Sequence, residues 1–139
     1  MLTNVPLLIV PFIVYNIQVF LNGGIGIWDT EVFSVPLIHG GAWTMNMGDL
    51  MVMLALVLLF FEMIKATRVG SSSVIDHLLS TFVFIAFLVE FLVVQSAAHS
   101  VFFILMMIAL VDVLAGFIIS IRSATRDVNV GHGGHYGEF

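Results

Sequence analysis

The sequence predicts an all-α integral membrane protein, built from four transmembrane helices that pair as two helical hairpins. Of the 139 residues, 60% are hydrophobic and only 9% are charged, whereas soluble globular domains contain about 25% charged residues. The mean hydropathy is +1.15, and the apolar residues are grouped into four runs. Each run approaches the ~20 residues that a helix needs to cross a bilayer. The remaining length is sufficient for short connections only.

A single domain is predicted over residues 1–126, followed by a Gly- and His-rich cytoplasmic tail over residues 127–139. The first span contains Pro6 and Pro11 near its start, where the backbone N–H groups of a helix have no intrahelical acceptor. Proline is therefore compatible with a retained first helix. The four spans share a predominantly apolar composition and cover approximately residues 5–21, 47–66, 74–94 and 100–121.

The basic residues predict the orientation of the spans. All four of them lie at the end of the second or the fourth span or shortly after it: Lys65, Arg68, Arg122 and Arg126. Because positively charged residues beside a span stay in the cytoplasm, these ends and both termini are predicted to be cytoplasmic. The connections over residues 22–46 and 95–99 then lie outside, and neither contains Lys or Arg. This N-in, C-in orientation is expected for a multi-pass protein of a bacterial inner (cytoplasmic) membrane.

The outer connection over residues 22–46 is apolar and rich in Gly, and it contains both tryptophans. The extended segments on either side of Gly40–Gly41 are predicted to pair as a short β-hairpin, because glycine permits positive φ angles at the turn. Trp28 and Trp43 are expected at the level of the lipid headgroups. The alternative is that they form, together with Phe33, a docking surface above the helices.

Besides Asp76 at the start of the third span, four acidic residues lie within the spans, and two of them have a local explanation. Asp49 falls in the first turn of the second span, where the helix dipole favours an anion. Glu62 precedes Lys65 by three residues, a spacing that predicts an ion pair. A carboxylate in the middle of a bilayer costs about 2.5–3.5 kcal/mol and needs a stabilising group. The helix dipole and Lys65 provide one for each of these two residues.

Glu90 and Asp112 lack a basic residue within one helical turn. Three interpretations stay open. In the first, the pair forms polar contacts between helices, with Asp112 protonated. In the second, the pair is part of a proton or cation pathway with Glu62 toward the cytoplasm. A contact with a partner subunit or pigment is a third. Glu90 shares one face of its span with Asp76, Ser80 and Val83. Asp112 shares a face with the small residues Ala109, Gly116, Ser120 and Ser123.

The start of the third span contains two more titratable residues. Ser73 and Asp76 are spaced so that the hydroxyl caps the helix and the carboxylate faces its positive end. Asp76 is therefore expected to be a helix-start residue. His77 is expected to be an interfacial histidine.

Several classes of function are excluded by composition. Four basic residues are too few for nucleic-acid binding, and the absence of Cys removes disulfides, thiolate metal sites and cysteine nucleophiles. The spacing of the five histidines matches no metal motif. The chain also lacks a phosphate-binding loop, a nucleophile elbow and an HExxH helix. An enzyme is not expected, and the sequence indicates no particular cofactor or metal.

The expected function is that of a small non-catalytic membrane subunit. It would dock to or stabilise a larger membrane complex, respiratory or photosynthetic, or assemble with copies of itself. The alternative is a proton- or cation-conducting channel or transporter subunit that uses Glu62, Glu90 and Asp112. The candidate interaction surface consists of Trp28, Phe33, Trp43, His132, His135 and Tyr136.

Overall fold

A computed structural model describes residues 4–68 and 71–132. For residues 71–73, 123–124 and 126–132 it describes the backbone alone. Four α-helices and one small antiparallel sheet follow each other, with single 3₁₀ turns before the sheet and before the last helix. The elements are α1 (Ile9–Leu21), a 3₁₀ turn (Ile25–Asp29), β1 (Glu31–Pro36), β2 (Ala42–Asn46), α2 (Met47–Ala66), α3 (Ser71–Val93), a 3₁₀ turn (Gln95–Ala97) and α4 (Ser100–His132).

Within the described residues, three helices are long and apolar enough to cross a membrane. They are Met47–Ala66 in α2, Val74–Val93 in α3 and Ser100–Arg122 in α4. These three agree with the predicted second, third and fourth spans. The protein is therefore a helical membrane protein.

The first predicted span is shorter as a helix than the sequence indicates. α1 has 13 residues, which corresponds to about 20 Å at 1.5 Å per residue, against a hydrocarbon core of about 30 Å. The helix begins only at Ile9. It is preceded by a turn in which the carbonyl of Pro6 accepts a hydrogen bond from the N–H of Ile9 at 3.2 Å. Pro11 lies in the first turn and is tolerated there, as expected. A fourth crossing and the N-in, C-in orientation stay predictions.

α4 is the central helix, because it packs against both α2 and α3, which contact each other little. α2 and α4 run parallel: their starts meet at Gly48, where a Cβ would lie 2.6 Å from Cγ2 of Val101. α3 runs antiparallel to both, since His77 near its start bonds to Ser120 near the end of the α4 span. One end of the bundle, here called the basic end, contains Lys65, Arg68 and Arg122, and the sheet lies at the opposite, hairpin end.

An aromatic core fills the hairpin half of the bundle. The ring of Tyr15 in α1 stacks on Trp28 at 4.8 Å and meets Phe102 of α4 edge-on at 4.8 Å. The Tyr15 hydroxyl donates to the carbonyl of Ser96 at 2.9 Å. Trp28 is only 2% exposed. This corrects the expectation of an interfacial Trp28, because its ring packs inside the protein and is removed from any exposed docking surface.

The predicted β-hairpin is confirmed. β1 and β2 pair antiparallel, and Gly40 in the turn has a φ of +89°. β2 continues directly into α2, because the backbone N–H of Asn46 donates to the Asp49 carboxylate at 3.1 Å. Asp49 thus stabilises the first turn of the helix, as its position in the sequence predicts.

Two helix ends differ from the sequence-based boundaries. α3 begins at Ser71, so the expectation that Asp76 is a helix-start residue is wrong: the carboxylate lies beyond the first turn. α4 continues through His132, which extends the helical backbone into the predicted tail. His135 and Tyr136 lie outside the described residues.

Candidate functional site

A cluster of polar side chains, here called the polar cluster, lies between α2, α3 and α4 in the basic half of the bundle. It surrounds a cavity of about 10 Å³, which is room for about one water molecule. Oδ1 of Asp76 is buried there without a hydrogen-bond partner among the described residues, which is costly unless a bound water satisfies it. The residues that line the cavity are Glu62, Lys65, Ala66, Asp76, His77, Ser80 and Asp112.

The α2 side of the cluster is an ion pair. Lys65 Nζ lies 3.3 Å from Oε2 of Glu62, and the two side chains are 13% and 5% exposed. The pairing expected from their i, i+3 spacing is therefore confirmed. Because the pair is largely removed from solvent, each charge depends on the other.

The same ion pair binds the segment that precedes α1. The backbone N–H of Leu7 donates to the Glu62 carboxylate, and Lys65 Nζ donates to the carbonyl of Val5 at 2.9 Å. Neither Val5 nor Leu7 is in a helix, so their backbone groups need partners in apolar surroundings. The pair thus joins the start of α1 to the end of α2, a role that its spacing in the sequence did not indicate.

Asp112 connects the three helices near the middle of the bundle. It lies twelve residues after the start of α4, or about 18 Å along the helix axis, and it is 6% exposed. The hydroxyl of Ser80 in α3 interacts with its carboxyl group, and Glu62 and Lys65 of α2 face it across the cavity. Asp112 is therefore surrounded by polar groups rather than by lipid.

The predicted small-residue face of α4 is the surface on which α3 packs. A Cβ on Gly116 would lie 2.6 Å from both Cε1 and Nδ1 of His77, and the other nitrogen of that ring hydrogen-bonds to the Ser120 hydroxyl. Ala109 and Ser80 are buried in the same contact. Small residues let the two backbones approach closely. The close approach positions the His77 ring inside the contact between α3 and α4, and its place at the membrane interface stays a prediction.

Glu90 lies away from the polar cluster. It is fourteen residues from Asp76 along α3, or about 21 Å, and its carboxyl group lies beside Asn16 of α1. The side chains of Val83 and Phe87 are buried on the α3 face between the two sites. The structure therefore brings Glu62 and Asp112 together, and it separates Glu90 from them by an apolar layer.

The residues predicted for an interaction surface do not share one surface of the protein. The rings of Phe33 and Trp43 meet edge-to-face at 5.7 Å on one face of the hairpin, whereas Trp28 is buried. His132 is the last residue of α4, at the other end of the protein. Of the predicted surface residues whose side chains the structure describes, Phe33 and Trp43 are therefore the exposed ones.

The chemistry available to the polar cluster is hydrogen bonding and proton exchange among carboxylates, an imidazole and hydroxyl groups. Among the side chains that the structure describes, no three from His, Asp or Glu are close enough to hold a metal ion. Sequence reasoning placed Asp76 and His77 at a helix end. Their spacing with Ser80 on one face of α3 is the signal that points toward α4.

Comparison of the chain with protein-family models, with curated proteins and with solved structures gave no match.

Proposed function

We propose that this chain is a small, non-catalytic integral membrane subunit that docks through its β-hairpin onto a protein partner, either another subunit of a membrane complex or a further copy of itself. The observation that supports the proposal is the apolar face of the hairpin, which consists of Phe33, Val35 and Trp43. These three side chains are exposed, although Met45, which lies opposite Phe33 on the same face, is buried. Exposed apolar patches of this kind mark interaction sites.

The two faces of the hairpin differ in polarity. Val35 lies directly opposite Trp43, the Phe33 ring contacts the same tryptophan, and the three side chains are 42–47% exposed. On the other face, the hydroxyl groups of Ser34 and Thr44 lie 3.1 Å apart. Residues on one face of a strand pair act together, so the apolar side chains form one contiguous surface.

The hairpin is held in a defined position relative to the helices. Met45 in β2 is buried, and the Asn46–Asp49 hydrogen bond fixes the junction with α2. At the opposite end of the hairpin, Ile38 is fully exposed at the tip. A rigid surface binds a partner at a lower cost in conformational entropy than a mobile loop does.

The test is co-purification after mild solubilisation and chemical cross-linking, with partners identified by mass spectrometry. The variants Phe33→Ser and Trp43→Ser are expected to lower partner recovery about tenfold or more. Ser34→Ala and Thr44→Ser, on the polar face, serve as matched controls and should retain the partner. Unchanged helical circular dichroism confirms that the variants are folded.

A photo-reactive residue in place of Val35 provides a second readout. Cross-links from this position to a protein agree with the proposal, and the mass of the adduct distinguishes a partner from a second copy. Cross-links to lipid alone, or a chain that stays monomeric with and without the variants, would contradict it.

A proton or cation pathway is the second candidate function, because Glu62, Asp76, His77 and Asp112 line one cavity. Intramembrane acids are functional candidates by default. In proteoliposomes, Asp112→Asn should abolish flux driven by a pH gradient, whereas Glu90→Gln should leave it unchanged, since Glu90 lies outside the cluster. Absence of flux in the parent protein would remove this candidate.

A further inference from the structure

An apolar groove of about 510 Å³ lies between α1 and α2 in the hairpin half of the protein. α1 contributes Val14 and Gln18, and α2 contributes residues between Met47 and Val57. This groove is separate from the polar cluster and from the exposed face of the hairpin. Its lining is hydrocarbon and methionine thioether apart from Gln18 and the Trp28 ring.

The groove is continuous with the membrane-facing surface of α2. Leu50, Leu54 and Val57 line it, and their side chains are also exposed at the outside of the bundle. α1 contacts α2 only sparsely and is too short to cover its length. In a bilayer, the space that α1 leaves beside α2 is therefore filled by hydrocarbon.

The dimensions of the groove fit an acyl chain. Met47 and Val57 are ten residues apart, which corresponds to about 15 Å along the helix, half of a hydrocarbon core of about 30 Å. The groove is open on the outer surface of α2, and its apolar lining along this length suits a single extended hydrocarbon chain.

The polar residue of the groove lining lies at the hairpin end. Gln18 is close to the end of α1, beside Met47 at the start of α2, and so at the hairpin end of the groove. Its Oε1 accepts a hydrogen bond from Nδ2 of Asn22 at 3.0 Å. With Oε1 engaged in that bond, Nε2 of Gln18 is the group of this amide that can donate to a carbonyl oxygen.

From this geometry we propose that the groove binds one acyl chain of a phospholipid from the leaflet at the hairpin end, with the ester carbonyl accepting a hydrogen bond from Gln18. The chain extends beside Leu50 and Leu54 toward Val57. The methionines of the lining adapt to its shape. The bound lipid packs against α1, which is shorter than the hydrocarbon core of the bilayer and contacts α2 only sparsely. This proposal does not depend on a protein partner at the hairpin.

The test uses the full-length protein in nanodiscs of palmitoyl-oleoyl-phosphatidylglycerol, released into detergent and weighed by native mass spectrometry. The parent is expected to retain one phospholipid per chain. Leu54→Trp fills the groove and should lower the one-lipid fraction at least about fivefold. Leu56→Trp is the matched control: Leu56 is an exposed leucine of the same helix outside the groove lining, and the variant should retain the lipid.

Gln18→Leu provides an independent arm if Leu54→Trp does not fold. Loss of one hydrogen bond should lower lipid retention about two- to tenfold, while the helical circular dichroism stays unchanged. Equal retention in Leu54→Trp, Gln18→Leu and the parent would overturn the proposal. So would retention of an isoprenoid quinone in place of phospholipid, or a photo-cross-link from position 54 to a second chain.

Discussion

The carboxylate of Glu62 accepts a hydrogen bond from the backbone N–H of Leu7, so the end of α2 holds the start of α1. Lys65 completes this attachment through the carbonyl of Val5. The Glu62–Lys65 pair therefore does more than neutralise two charges. It also satisfies two backbone groups of the non-helical segment that precedes α1.

Replacing Glu62 by Leu is expected to destabilise the protein by about 3–5 kcal/mol, because Lys65 is left as an unpaired, largely buried charge. The added variant Lys65→Met should recover only part of the loss, since it removes the unpaired charge but leaves the Leu7 N–H and the Val5 carbonyl without their partners. Thermal unfolding in detergent micelles measures both effects. A single variant as stable as the parent, or a double variant as stable as the parent, would contradict this role.

Gly116→Ala is expected to cost about 1–3 kcal/mol, the usual range for overpacking a close contact. The new methyl group would displace the His77 ring, which lies 2.6 Å from the position of the added Cβ, and would break its hydrogen bond to Ser120. Gly26→Ala is the matched control, because a Cβ at Gly26 meets no atom within 4 Å. Equal melting temperatures for the two variants would refute the close packing of α3 on α4.

Tyr15→Phe should lower the free energy of unfolding by about 1–3 kcal/mol, since the buried carbonyl of Ser96 loses its donor while the stacking on Trp28 is kept. Tyr15→Ala removes the stacking as well and should cost about 3–5 kcal/mol. Chemical denaturation in mixed micelles distinguishes the two. If the variants are equally destabilised, the hydroxyl group dominates and the stacking contributes little.

Asp49→Ala is expected to lower stability by about 1 kcal/mol, the typical cost of a lost helix cap. The effect should be local: the amide of Asn46 would exchange hydrogen faster, because its acceptor is removed. Glu31→Ala, an exposed acid on the neighbouring strand, is the comparison. Faster exchange in both variants would indicate a general loosening of the hairpin instead of a lost cap.

Some features follow from short stretches of sequence. The spans α2, α3 and α4 follow from apolar length, the hairpin from glycine at its turn, and the Glu62–Lys65 pair from spacing within one helical turn. In each case the interacting groups are neighbours along the chain, so local geometry is sufficient. The shortened α1 is the exception, because apolar length alone does not distinguish a helix from the non-helical residues that precede it.

The membership of the polar cluster required the packed helices. Leu7 and Glu62 are 55 residues apart, and His77 and Ser120 are 43 apart, so no pattern within one segment joins them. Glu90 and Asp112 looked equivalent as unpaired intramembrane acids, yet α4 turns Asp112 toward Ser80 while Glu90 meets Asn16 of α1. Trp28 likewise changes from an interfacial residue to a core residue once Tyr15 stacks on it.

The amino-acid sequence was thus enough to establish a membrane protein with apolar helices, a β-hairpin and acids that need partners, because composition and spacing act locally. Which residues contact these acids depends on the rotation of each helix about its axis. That rotation depends on small residues such as Gly48 and Gly116, where backbones approach within contact distance of a neighbouring side chain. It is a property of all the packed faces together, and no single segment contains it.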